Sequence, residues 1–195
     1  GISVIVGLGI ASFLAFRAPP GRTVAVSVLN TGMALPPVVV GLAVALFLWR
    51  TGPLGQLGLL YTPAAIVVAQ AVIATPVVTA LSTAALQNLH PKLRLQVMAL
   101  GASRVQAAWL LFREARLPLL AAVMAGFGAA ISEVGASIMV GGNIKGSTRT
   151  LTTATVLETS QGDFETAIAL SAILLLLVYM VALVLTLVQQ GRRAA

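Results

Sequence analysis

Residues 91–118 read PKLRLQVMALGASRVQAAWLLFREARLP, and this stretch decides the fold because the chain on either side of it is almost free of charge. Lys92, Arg94, Arg104, Arg113, Glu114 and Arg116 all fall inside it. Outward from it, charge-free runs cover residues 23–49, 51–91 and 166–191, and Glu133 alone interrupts residues 117–144. Each run exceeds the roughly 20 residues that a helix needs to cross a bilayer. The whole chain is 58% hydrophobic and 9% charged, against about 25% charged in an ordinary soluble domain. The reading is an all-α, polytopic transmembrane helix bundle.

The runs predict about five spans in a single domain over residues 1–195: residues 1–17, 23–49, 63–88, 117–141 and 164–190, with a helix pair over 91–116. The first run is short and starts without Met, so it is expected to be the inner part of a truncated first helix. No length remains for a separate soluble domain. Cysteine is absent, which removes disulfides and thiolate metal sites. The net charge of +7 invites a nucleic-acid reading, but its placement argues otherwise. If spans alternate, Arg17, Arg22, Lys92, Arg94, Arg104, Arg113, Arg116, Arg192 and Arg193 share one side. Arg50, Lys145 and Arg149 lie on the other, beside Glu158, Asp163 and Glu165. That asymmetry follows the positive-inside rule and places the 91–116 loop and the C-terminus in the cytoplasm of a cell-membrane protein. The basicity orients the chain in the lipid bilayer; no nucleic-acid partner is expected.

Local signals refine this picture. Pro36-Pro37 sits mid-way along the second span and Pro76 inside the third. Leu93, Val97 and Leu100 form an apolar face opposite Arg94. Gly101 suits a helix end, and Ser103 with Gln106 reads as a capping box. Val105, Trp109 and Phe112 are expected to line one face of the helix that follows. Ala122, Gly126 and Ala130 are spaced for close helix packing in lipid. A Thr-rich helical piece spans 150–161, Gly162 stops it, and Asp163 is an N-cap candidate.

Three sets of residues are candidates for function. The turn Ala99, Leu100, Gly101, Ala102, Ser103 either lies on anionic headgroups or is presented to a groove on a soluble partner. Thr75, Thr79, Ser82 and Thr83 give one helix a polar face. Their hydroxyls either bond back to the helix or line a route for a polar solute. Neutral hydroxyls suit an oxyanion that must pass without being trapped. Ser132 and Glu133 form the third set, Glu133 being the one acid within a span. A carboxylate there is a functional candidate, yet an ionised one would repel an anion, which favours a hydrogen-bonded structural role. Residues 141–148, GGNIKGST, come close to a P-loop, but Ser147 stands where the phosphate-binding Lys belongs. His90 is the sole histidine and sits in a loop, so neither a Ser/His hydrolase nor a metal site is supported.

At this point the sequence resembles the permease subunits of binding-protein-dependent ABC importers. Their cytoplasmic loop carries Glu-Ala-Ala, then Gly, then Ile-x-Leu-Pro. Gly101 is in register, Leu95-Gln96-Val97 replaces the acidic opening, and Leu117-Pro118 falls a few residues late. Leu35-Pro36-Pro37-Val38-Val39-Val40-Gly41, Ile131-Ser132-Glu133-Val134-Gly135-Ala136 and Met139-Val140-Gly141-Gly142-Asn143-Ile144 are similar to the molybdate, tungstate and sulfate branch. TTATVLETSQGDF, residues 152–164, looks most like tungstate permeases. The resemblance implies half of a type I importer with no enzymatic activity or bound cofactor of its own. It further implies a homodimer, two ABC ATPase subunits using ATP and Mg and each receiving the turn around Gly101, and an extracytoplasmic tungstate-binding protein. The alternatives are the same role for molybdate or sulfate and, from other classes, an intramembrane enzyme using Ser132 or Ser137 with Glu133, or a passive channel.

Overall fold

The computed structural model describes residues 1–17 and 19–191; Ala18 and the tail cations Arg192 and Arg193 of the charge asymmetry lie outside the described residues. Among the described residues ten α-helices follow one another: α1 (Ile2–Arg17), α2 (Arg22–Ala34), α3 (Pro37–Leu48), α4 (Pro63–Gln87), α5 (Pro91–Ala99), α6 (Arg104–Glu114), α7 (Arg116–Ile131), α8 (Gly135–Gly141), α9 (Leu151–Gln161) and α10 (Phe164–Gly191). A single 3₁₀ turn, Gly55–Leu57, joins α3 to α4, and no strand occurs among the described residues. The chain is therefore an all-α polytopic membrane protein. α4 and α10 are each long and apolar enough to cross a bilayer alone, and the pairs α2–α3 and α6–α7 pass the same test only when joined.

Proline chemistry explains why one run breaks and another does not. Pro37 forces the residue before it out of the helical region, and Pro36 is extended at φ −59, ψ 124. Pro37 itself is the first residue of α3, where its missing N–H costs nothing. Pro76 stands alone inside α4, which runs on through it. A lone proline removes one backbone bond. Its ring is held against Gly32, where an added Cβ would lie 2.9 Å from the Pro76 Cβ.

The chain divides into two compact units. One comprises Gly1–Met33 and Ala74–Phe127; the other comprises Ala34–Ile73 and the chain from Gly128 onward. In the first unit the later half of α4 is packed by small residues on both sides. A Cβ on Gly7 of α1 would come within 2.9 Å of Val78 Cγ1, and one on Gly126 of α7 would strike Val78 Cγ2. Ala11, Leu86, Ala115 and Leu119 form the adjoining core, joined by Phe16 and Phe112. On α6 the face carrying Val105 and Trp109 is turned outward. Ala107, Leu111 and Ala115 are buried, whereas Val105 and Trp109 are exposed. The inward row, Ala107, Leu111 and Ala115, steps by four through α6 and across a 70° bend to Leu119 of α7. The Trp109 ring is covered by the Arg113 guanidinium at 5.7 Å.

In the second unit α3 lies against α8. A Cβ on Gly41 would sit 2.6 Å from the Ala136 Cα, which leaves room for no residue but glycine. Val40, Val44, Leu48, Ile66, Ala136 and Val140 bury together around that crossing. The fourth predicted span is interrupted: α7 ends at Ile131 and α8 starts at Gly135. α9 begins with a Thr150–Thr153 capping box, and Gly162 at φ +82 ends it. Asp163 then caps α10, as the sequence predicts, accepting from Thr166 N–H at 3.0 Å and from its hydroxyl at 2.7 Å. The hydroxyl first, then the N–H, hold this carboxyl below its ordinary value of 3.8.

Candidate functional site

The turn between α5 and α6 is defined at both ends. Gly101 takes φ +87 with nothing within 4 Å of where a Cβ would stand. Its N–H donates to Met98 O at 3.0 Å, and Ala102 N–H donates to Val97 O at 3.3 Å. This is the double bond that closes a helix through a left-handed glycine. Two residues on, Ser103 Oγ accepts from Gln106 N–H while Gln106 Oε1 accepts from Ser103 N–H at 2.8 Å. Between these locks Leu100 projects with 88% of its surface exposed, and Val105 with 79%. The arrangement is a stiff, five-residue knuckle, Ala99 to Ser103, tipped by an apolar side chain.

The hydroxyl set on α4 lies inside the first unit. Thr79, Ser82 and Thr83 are all buried. Thr79 Oγ1 donates to Thr75 O and Thr83 Oγ1 to Thr79 O, both at 2.7 Å, so these hydroxyls bond back to their own helix. Thr75 is half-buried one turn earlier. Ser82 Oγ is buried without a hydrogen-bond partner. Such an orphan is uncommon, because leaving a buried hydroxyl unpaired costs about 1–3 kcal/mol.

The third set lies in the second unit, at the break between α7 and α8. Glu133 is buried, and its Oε1 accepts from Ala136 N–H at 2.8 Å. It thereby satisfies one of the donors that a helix leaves open at its N-terminus. Ser137 Oγ donates to Glu133 O at 3.2 Å, and Ser132, on the surface, donates to Gly128 O at 2.8 Å. Neither serine is bonded to the Glu133 carboxylate, whereas a nucleophile–base pair needs that contact. The carboxylate is spent on the architecture of the break.

One element has no counterpart in the sequence signals. The loop after α8 is organised by Thr148, buried, whose Oγ1 donates to Gly141 O at 2.5 Å and accepts from Ile144 N–H at 2.9 Å. Asn143 stands at φ +50, and Tyr61, at φ +63, donates its N–H to Val140 O at 2.8 Å. The Gly-Gly-Asn run signals the turn; nothing local signals that a threonine five residues on would bury itself to hold it.

Apolar helices, two of them bent or broken along their course, define a polytopic helical membrane protein. Residues 4–194 match the family described as binding-protein-dependent transport system inner membrane component, and the chain belongs to that family. It is 46% identical over 182 residues to a probable anion ABC transporter permease protein of Haloferax volcanii, covering 91% of this chain and 78% of that one. It is 41% identical to the tungstate uptake system permease protein TupB of Peptoclostridium acidaminophilum, covering 84% of this chain and 72% of that one. The corresponding TupB of Campylobacter jejuni is 36% identical, over 78% of this chain and 64% of the relative.

Proposed function

We propose that the chain is the membrane-spanning subunit of an ATP-driven tungstate importer, forming the oxyanion path and working as a homodimer with two cytoplasmic ATPase subunits and an extracytoplasmic binding protein. The observation that carries this reading is the knuckle at Ala99–Ser103, capped on both sides and tipped by an almost fully exposed Leu100. Burying such a side chain in a partner's groove is worth about 1.5–3 kcal/mol. Because the turn is stiff before binding, little of that gain is lost to ordering. The charge asymmetry supports a cytoplasmic position for the knuckle. ATP and Mg belong to the partner, and the chain binds no cofactor. Tungstate is favoured among oxyanions because two of the relatives above are named tungstate uptake permeases.

Within the first unit the path candidates are Thr75, Thr79, Ser82 and Thr83; Ser132 and Glu133 are candidates within the second unit. The α4 hydroxyls are neutral, so they hold no fixed cation to trap the anion. Rocking of packed helices exposes them in turn. Glu133 contributes by keeping the start of α8 in place.

Reconstitution with the cognate ATPase and binding protein tests the reading. Uptake of labelled tungstate is expected only with ATP and is expected to persist against equal molybdate or sulfate. Displacement by molybdate at equal concentration would show the cargo to be misassigned, and flux without ATP would show the chain to be a channel. Gly101→Asp is expected to insert normally but to lose the ATPase on co-purification; retained ATPase and uptake would refute the docking role.

A further inference from the structure

Arg94 lies on α5, six residues before Leu100, which is about 9 Å along a helix. Its Nη1 donates to the Phe16 carbonyl at 2.6 Å, in the last turn of α1. Its guanidinium also stands over the Phe16 ring at 6.0 Å. That ring meets Phe112 of α6 edge-on, at 6.0 Å between centroids and 83° between planes. Both arms of the knuckle therefore converge on one residue at the end of α1. The carbonyls there have no partner within the helix, and a cation suits the negative end of the helix dipole. The neighbouring cation, Arg17, is directed elsewhere, over Phe13 at 5.6 Å. Further along α1, Gly7 is pressed against Val78 and Thr79 of α4, and Ala11 joins Leu86 in one core. Contacts this close have no compliant side chain between them, and packed interiors transmit strain.

We propose that Arg94 is a positioning residue for transport: it ties the knuckle to α1, so that a pull on Leu100 and Gly101 moves α1 against the hydroxyl face of α4. The proposal rests on the docking reading above. A bare helix cap would affect stability alone, whereas a mechanical tie sets how much uptake each ATP produces. Arginine is fitted to the task, since it offers a donor fork and a flat cation to the carbonyl and the ring together.

The test uses the complete transporter in proteoliposomes, with ATP hydrolysis and tungstate uptake measured on the same vesicles. Arg94→Gln is expected to keep the ATPase on co-purification and to hydrolyse ATP near the normal rate, while uptake per ATP falls at least about fivefold. Arg94→Lys, which keeps the cation but loses the planar fork over the ring, is expected to recover only part of that ratio. Phe16→Leu, which removes the ring but leaves the carbonyl, is read in the same way should the Gln variant fail to accumulate. Uptake per ATP unchanged in Arg94→Gln or in Phe16→Leu overturns the proposal, as does a loss confined to melting temperature. Gly101→Asp run alongside keeps the two claims apart: ATPase lost there but coupling intact at Arg94→Gln defeats only this inference, and ATPase retained there defeats the docking reading itself.

Discussion

The chain interrupts its helices at two places that look alike on paper and differ in kind. At Leu100–Ala102 the break faces outward: Gly101 has open space around it, and both flanking ends are closed by their own local hydrogen bonds. At Ser132–Val134 the break faces inward: Glu133 is buried, caps α8 with its carboxylate, and Gly135 beside it touches Val38 of α3. The turn of the first is closed by its own local hydrogen bonds, with its neighbours holding only the arms on either side. The second exists because neighbours hold it. An outward break spends its sequence on caps, and an inward one spends it on a buried acid and on glycines where helices cross.

Substitutions should separate the two breaks by size of effect. Gly41→Leu drives a side chain into the Ala136 backbone and is expected to cost about 3 kcal/mol, read as a collapse of monodisperse protein and of melting temperature in detergent. Glu133→Ala strands the Ala136 N–H in a buried site, at about 2 kcal/mol. Glu133→Gln, which retains an acceptor, should melt near the parent, and equal loss in both variants would mean that the charge and not the acceptor matters. At the outward break Ser103→Ala removes one half of the capping box and should cost only about 1 kcal/mol, measured as a small drop in melting temperature. A loss there as large as at Gly41 would erase the distinction.

The smallest effect belongs to a third junction, Gly162–Asp163. Two hydrogen bonds from Thr166 lower the Asp163 carboxyl in the folded chain. With the folded value below the unfolded one, the cap's stabilisation is complete above the ordinary carboxylate value of 3.8 and is lost as pH falls through the lower, folded value. Protection of the Thr166 amide, its exchange rate relative to an unstructured chain at the same pH, should therefore fall only below the ordinary carboxylate value of 3.8, and Asp163→Ala should remove that change; protection already lost near neutrality would contradict the assignment.

Much of the fold is legible in the residues alone. The apolar runs, the glycine at 101, the Ser103–Gln106 box and the Gly162–Asp163 junction are local chemistry, carried by residues a few positions apart. The double proline announces a disturbance at residue 36, though not that the helix stops there while α4 runs through Pro76. Less legible is the inward face of α6, because Val105 and Trp109 outrank Ala107 in hydrophobicity yet lie exposed. Close helix packing in this unit selects small residues, and no rule of hydrophobicity alone finds them.

By itself the sequence determined that the chain lives in a bilayer, where the charge-free runs lie and where helices are capped, since burial in lipid and capping depend on composition and near neighbours. Only the tertiary structure decided that Glu133 serves a helix end, that Thr79 and Thr83 turn back on their own backbone, that Thr148 anchors a loop and that Arg94 reaches Phe16. Nearly every polar group away from water finds a partner, and only the packed chain settles which one.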